Sequence, residues 1–183
     1  VQDEKEAYAL EVAAGILDGG NSARFSKNLV RGQQIAASTG VGYELYARLQ
    51  TLFMIEGTPS QGQTVETLET ALLNQVKRLQ DDPVTAEELQ RVKAQVLANH
   101  VYQLDSAFFQ AMQLGTAETV GLGWKKIGEY EARINEVTAA DIMAAAKKYL
   151  IEDRLTIARL DPLPLPDGAP APEAPAIGGG HVR

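Results

Sequence analysis

The hydrophobic period of this chain changes twice, and no other feature constrains its fold as tightly. From about Asp3 to Asp18, Leu10, Ala13, Ala14 and Leu17 recur at helical spacing. Between Ile35 and Ile55 the period drops to two: Ile35, Ala37, Thr39, Val41 and Tyr43 alternate with small or polar residues, and 49–55 is rich in strand formers. The helical period then returns and holds for about ninety residues before a last strand-like run, Leu155 to Leu160. The order helix, helix, strand, strand, helices, strand is not a strict alternation, so the expectation is an α+β domain with an antiparallel sheet.

Punctuation sharpens the boundaries. Asp3 and Glu6 have the spacing of a capping box, and Gly19-Gly20 ends the first helix. Asn21 or Ser22 is placed to cap a short second helix in which Phe25 and Leu29 stack. The two strands join near residues 44–48, and Gly57, Pro59 and Gly62 mark the loop after them. Val65, Leu68, Leu72, Val76 and Leu79 form an apolar stripe that stops at Asp81-Asp82-Pro83. Thr85 to Glu88 reads as a capping box for a long helix through Leu89, Val92 and Val96. A break is expected at Asp105-Ser106, before Phe108, Phe109 and Met112. Helical spacing resumes at Trp124, Ile127 and Ile134, and Thr138 to Asp141 opens another helix carrying Ile142, Ala145, Ala146, Tyr149 and Leu150. Residues 163–183 are dominated by Pro, Ala and Gly, a composition expected to stay disordered. Three strands make a small sheet for this much helical surface, so one or more strands before Val1 are expected to be missing and residues 1–162 to form one domain.

Several chemistries are disfavoured by composition. Net charge is −7 with no basic cluster, which argues against nucleic acid as a partner. No apolar run is long enough to span a bilayer. Cysteine is absent, which removes disulfides, thiolate zinc sites and cysteine nucleophiles together. The two histidines, His100 and His181, stand in neither H-E-x-x-H nor H-x-x-E-H, so no metal ligands are assigned. No G-x-S-x-G elbow is present, Gly40-Val41-Gly42 lies inside a strand pattern, and the paired glutamates sit at helix starts, where they complement the helix dipole. No catalytic residue is assigned.

The order of short phrases is more specific. Ile16-Leu17-Asp18-Gly19-Gly20-Asn21-Ser22-Ala23-Arg24-Phe25 resembles the "iLggg-x-sSRLy" segment of the pitrilysin (insulinase-like) zinc peptidases. Leu29 to Ser38 is similar to the "LRe-x-x-gLaYs" segment that follows it there. Val84-Thr85-Ala86-Glu87-Glu88-Leu89 with Lys93 resembles "vteeEl-x-x-aK", and Val137 to Ile142 with Lys148-Tyr149-Leu150 resembles "vtaaDv…kyl". Leu160-Asp161-Pro162 closes the series, which covers residues 7–162.

The resemblance implies the C-terminal, non-zinc domain of such a peptidase: a ferredoxin-like, metallohydrolase-type domain with a helix layer on one face of an antiparallel sheet. It further implies zinc in the parent protein or its partner, where the metal polarises the scissile carbonyl and activates water. The partners implied are an N-terminal zinc-bearing domain, a homologous subunit, or both, together with a peptide substrate. The compartment stays open between periplasm and cytoplasm, with the family leaning towards the periplasm. Members often contribute an arginine and a tyrosine to substrate from the "LRe…Ys" segment. Here those positions hold Val30 and Ala37, neither of which donates a side-chain hydrogen bond, and Arg31 is left as the candidate substrate-binding residue. Two readings follow: a wall of a peptide-binding chamber, or a non-catalytic structural or chaperone-like subunit of the same fold.

Overall fold

The computed structural model describes residues 4–161. Asp3, His181 and the Pro/Ala/Gly-rich stretch 163–183 lie outside the described residues. Among the described residues, six α-helices and two strands are joined by short 3-10 and π-helical turns. Helix α1 (Glu4–Asp18) is the centre of the domain. Tyr8, Ala9, Leu10, Val12, Ala13, Ile16 and Leu17 are all buried, a band far wider than one amphipathic stripe. Such a helix needs neighbours on most sides, and it has them in α3 (Ala86–Gln103), α5 (Tyr130–Glu136), α6 (Ala139–Tyr149) and the sheet.

After Gly19-Gly20 the chain makes a wide π-helical segment, Ser26–Gly32, whose start carries no side-chain cap from Asn21 or Ser22. Phe25 and Leu29 are fully buried as the i, i+4 pairing requires. Gln34, in the left-handed region at φ 54°, turns the chain into β1 (Ala36–Tyr43). β1 pairs antiparallel with β2 (Phe53–Pro59), joining Tyr43 to Phe53 at one end and Ala36 to Pro59 at the other. Thr39, Val41, Tyr43, Phe53 and Ile55 are partly buried against the helices, while Ser38, Gly42, Met54 and Glu56 are exposed. The helices thus cover one face of an antiparallel sheet, and the fold is α+β.

Three details of the extended segments differ from the sequence expectation. β2 begins at Phe53 rather than near Leu49 and runs through Gly57 and Pro59, so those residues end a strand instead of marking a loop. Ala36 pairs with Pro59 and Ser38 with Thr58, which leaves Ala37 as the extra residue of a β-bulge. A bulge shifts the alternation by one, so Ala36 is buried and Ala37 faces solvent. Residues 155–160 pair with no strand among the described residues.

The helical half follows its signals more closely. Thr64 caps α2 (Val65–Asp81), Thr85 caps α3, and Ser106 caps α4 (Ala107–Thr119) after the expected break. Among the described residues the full capping box is made at Thr138, whose N–H donates to the Asp141 carboxylate while its hydroxyl accepts from the Asp141 N–H. The expected reciprocal bond at Thr85 is absent because the Glu88 carboxylate is drawn to Arg24 instead. Helix α4 buries only Ala117 and leaves Phe108 79% exposed.

Candidate functional site

The segment Leu29–Ser38 carries the candidate substrate contact, and its backbone is held closely. The Ile35 N–H donates to the Leu29 carbonyl at 2.9 Å, and the Ile35 carbonyl accepts from the Ser60 N–H at 2.8 Å. Beneath it, the Asn28 amide donates to the Gln75 side chain at 3.0 Å; Gln75 is the buried polar side chain of α2, at 5% exposure. This pairing satisfies an amide that would be costly to bury alone.

On that scaffold the three positions face different ways. Val30 is half-buried and packs on the core. Ala37 is exposed at the bulge. Arg31 is exposed in the last turn of the π-helix, and its guanidinium donates to the Asn21 carbonyl, which ties it back to the turn after α1. The segment is therefore helical at Arg31 rather than extended. An open groove of about 480 Å³ lies alongside, lined by Gln33, Ile35, Glu66, Thr70, Asn74 and Gln75 among others.

The quoted phrases turn out to meet in space. Arg24 Nε and a terminal nitrogen bond the two oxygens of Glu88 at 3.0 and 2.9 Å. This contact holds Glu88 below the ordinary carboxylate range. Asp18 accepts from Ser26 and Thr39, and Lys93 donates to the Asn135 carbonyl at 2.7 Å. These residues tie elements together.

Sequence reasoning missed Glu11. Its half-buried carboxyl accepts a long hydrogen bond of 3.4 Å from the Tyr130 hydroxyl of α5 and is pushed up to about 7, chiefly by burial. The Tyr130 ring packs on Tyr8, with ring centres 6.1 Å apart, and on His100, 4.4 Å apart. Burial in turn lowers the His100 pKa. The one available signal was a carboxylate inside the apolar stretch Tyr8 to Leu17, which becomes informative only once α1 is known to be buried nearly all round.

Zinc does not fit this donor set. No group of three or more His, Asp or Glu among the described residues is placed to hold a metal ion, and His100 is stacked on Tyr130. No helix among the described residues is long and apolar enough to cross a membrane.

Comparison with known proteins gives this geometry a family. The model of the peptidase M16 inactive domain matches residues 1–96, just over half of the chain. The chain belongs to that family. Its fold is shared with the inactive peptidase domain of a candidate zinc protease from Bordetella parapertussis, at 22% identity and TM-score 0.74, covering 91% of this chain and 88% of that one. A candidate zinc protease from Bordetella pertussis Tohama I is similar at 22% identity and TM-score 0.75, covering 87% of each chain. A protease from Helicobacter pylori gives 19% identity and TM-score 0.73 over 82% of this chain. The M16 inactive domain described here spans only 36% of that Helicobacter chain. Comparison with curated protein sequences gave no significant match.

Proposed function

We propose that this M16 inactive domain forms one wall of the peptide-binding chamber of a zinc peptidase, with the zinc chemistry carried by another domain of the parent protein or by a partner subunit. The observation that carries this reading is the family match across the segment that holds Arg31. In it, Arg31 contacts the substrate peptide, because it is the exposed cation of the Leu29–Ser38 segment, whose Gln33 and Ile35 line an open groove. A carbonyl of an extended peptide would compete with the Asn21 carbonyl for the guanidinium, which has several N–H donors to share.

The test uses the full-length parent, with and without its partner, assayed for bound zinc and for hydrolysis of a quenched fluorescent peptide. Stoichiometric zinc with hydrolysis is expected. Arg31→Ala is expected to raise KM with zinc content unchanged, and an unchanged KM would remove Arg31 from the chamber wall.

A second reading, a non-catalytic structural or chaperone-like subunit of the same fold, is favoured by one feature: Val30 and Ala37 stand where donors are expected, and Arg31 is already tied to Asn21. A parent that holds no zinc and leaves peptides intact even with its partner would select it.

A further inference from the structure

The groove beside the Leu29–Ser38 segment is built from two rows of side chains on α2. Glu66, Thr70 and Asn74 follow one another at four-residue spacing and are exposed. Ala71 and Gln75 form the adjacent row and are buried, at 8% and 5% exposure. The exposed row is therefore a polar rim, and the buried row is part of a floor that Ile35 extends. That floor is apolar at Ala71 and Ile35 and polar at Gln75.

The hydroxyls along the groove are engaged locally. Thr70 donates to the Glu66 carbonyl at 2.8 Å, and the Thr67 hydroxyl pairs with that of Thr64 at 3.0 Å. Gln75 differs. Its side-chain oxygen is taken by the Asn28 amide at 3.0 Å, which leaves its own N–H2 group to be satisfied. That nitrogen meets no acceptor among the described residues, yet it is not sealed from solvent, and the groove is the opening that Gln75 lines. A donor held in so buried a side chain is costly unless water or a ligand accepts from it. Glu66 is the second unspent group. Its carboxylate makes no hydrogen bond or ion pair among the described residues, and Arg159, the cation bound to α2 nearby, is held by both oxygens of Glu69. A glutamate at a helix start suits the dipole and by itself needs no ligand. Here it is the one ionisable side chain among the described residues lining a groove whose floor offers a free amide.

We infer that this groove selects an extended peptide by its positive charge, with a backbone carbonyl on the Gln75 amide and a lysine or arginine side chain on Glu66. Gln75 and Glu66 lie nine residues apart on α2, about 13 Å along the axis. An extended peptide covers that distance in about four residues, at about 3.3 Å each. The floor amide needs an acceptor and the rim carboxylate needs a cation, and one basic peptide supplies both. A free phosphate or a nucleic acid would meet the Glu66 carboxylate unfavourably. A small molecule would stay largely wet in so open a groove, whereas binding pockets for such ligands enclose most of their surface. Gln33 and Asn74, which both donate and accept, leave the intervening side chains free to vary. The net charge of −7 favours the same ligands at longer range. The inference rests on the chamber-wall reading for the kind of ligand, a peptide, and adds the side-chain class that the wall prefers.

The experiment reads binding rather than cleavage. The full-length parent with its partner, treated with a chelator so that no peptide is cut, is titrated into two fluorescein-labelled peptides and followed by anisotropy. One peptide carries a single lysine flanked on each side by about four uncharged residues, and its twin carries glutamine there. The lysine peptide is expected to bind about three- to five-fold tighter at low salt, with the ratio falling towards one at high salt. Glu66→Gln is expected to abolish the ratio, and Glu66→Lys to favour a glutamate twin instead. Gln75→Glu keeps an acceptor for Asn28 and removes the donor, so it is expected to weaken the glutamine peptide at least about three-fold. Glu66 is exposed, so its variants keep the test decisive should Gln75→Glu fail to fold. A ratio of one in the native protein, or a ratio that Glu66→Gln leaves in place, overturns the inference. Hydrolysis of both peptides once zinc is restored would then show that the chamber-wall reading survives without it. A lysine preference that Glu66 controls, in a parent that leaves peptides intact, upholds the groove and removes the zinc chemistry. Binding of neither peptide, with no hydrolysis, overturns both.

Discussion

Arg24 and Glu88 are 64 residues apart and grip each other through two parallel hydrogen bonds of 3.0 and 2.9 Å, with their side chains only 14% and 17% exposed. The pair links the start of the π-helical segment to the first turn of α3. Its geometry explains why both residues sit in phrases that resemble the family: the contact holds two elements in register on α1. Glu88 also lies in the first turn of α3, where a negative charge suits the helix dipole.

Breaking this pair from one side leaves a largely buried charge without its partner. Such losses cost about 3–5 kcal/mol for fully buried pairs and under about 1 kcal/mol at the surface. The partial burial here places Arg24→Ala and Glu88→Gln at about 2 kcal/mol each. Urea unfolding of both single variants and the double variant checks this. The double variant is expected to lose clearly less than the sum of the two, and strict additivity would show that the pair is not coupled.

Glu11 predicts a pH dependence of the opposite sign to most carboxylates. Its folded-state pKa of about 7 lies above the ordinary 4.5, so the folded protein holds a proton there that the unfolded chain releases. Its contribution is full below pH 4.5, declines as pH rises towards 7, and is flat above that. The size is about 3 kcal/mol at most, from about 1.4 kcal/mol per pKa unit. Glu88 and Asp141, whose pKa values are lowered, work in the reverse direction and lose their contribution only in acid. The measurement is therefore a difference: Tm of Glu11→Gln minus that of the native chain, from pH 5 to 8. It is expected to grow with pH and then level off near neutrality. A flat difference would show that folding does not raise the Glu11 pKa.

Much of this architecture is legible in the residues, and the failures share one cause. The apolar stripes of α2 and α6, the Ser106 break and the Thr138 box are local signals, and they appear where the spacing puts them. What was misread depends on partners distant in the chain. The Thr85 box is incomplete because Glu88 answers Arg24 rather than its own cap. The parity of Ala37 is reversed by a bulge that only the pairing with β2 reveals. Glu11 is notable only once Tyr130 closes over it. Residues 155–160 carry a strand pattern but pair with no strand among the described residues. Arg31 was legible as a cation of the segment, but not its tether to Asn21.

Restoring the donors expected at positions 30 and 37 should have unequal costs. Ala37 is exposed at the bulge, where Ala37→Tyr changes stability by no more than about 0.5 kcal/mol. Val30 packs on the core, so Val30→Arg both removes apolar contact and forces a charge towards the interior, at about 2 kcal/mol or more. Chemical denaturation distinguishes the two. Equal costs would show that the Leu29–Ser38 segment does not hold Val30 inward.

Gly15 supplies the sharpest test of how closely α1 is packed. Mid-helix glycine is ordinarily a weakness, and replacing it by alanine gains up to about 1 kcal/mol of helix propensity. Here an added Cβ would lie 2.8 Å from a γ-methyl of Val92 and 3.4 Å from one of Val96, both on α3. Val92 is buried and β-branched, so its side chain has little rotamer freedom with which to retreat. The helices must instead separate, and overpacking of this kind costs about 1–3 kcal/mol. Gly15→Ala is therefore expected to lower Tm despite the better helix former. The paired variant Gly15→Ala with Val92→Ala makes room for the methyl and should cost less than the two single changes summed. If Gly15→Ala raises Tm instead, α1 and α3 are less closely apposed than the Gly15–Val92 contact requires.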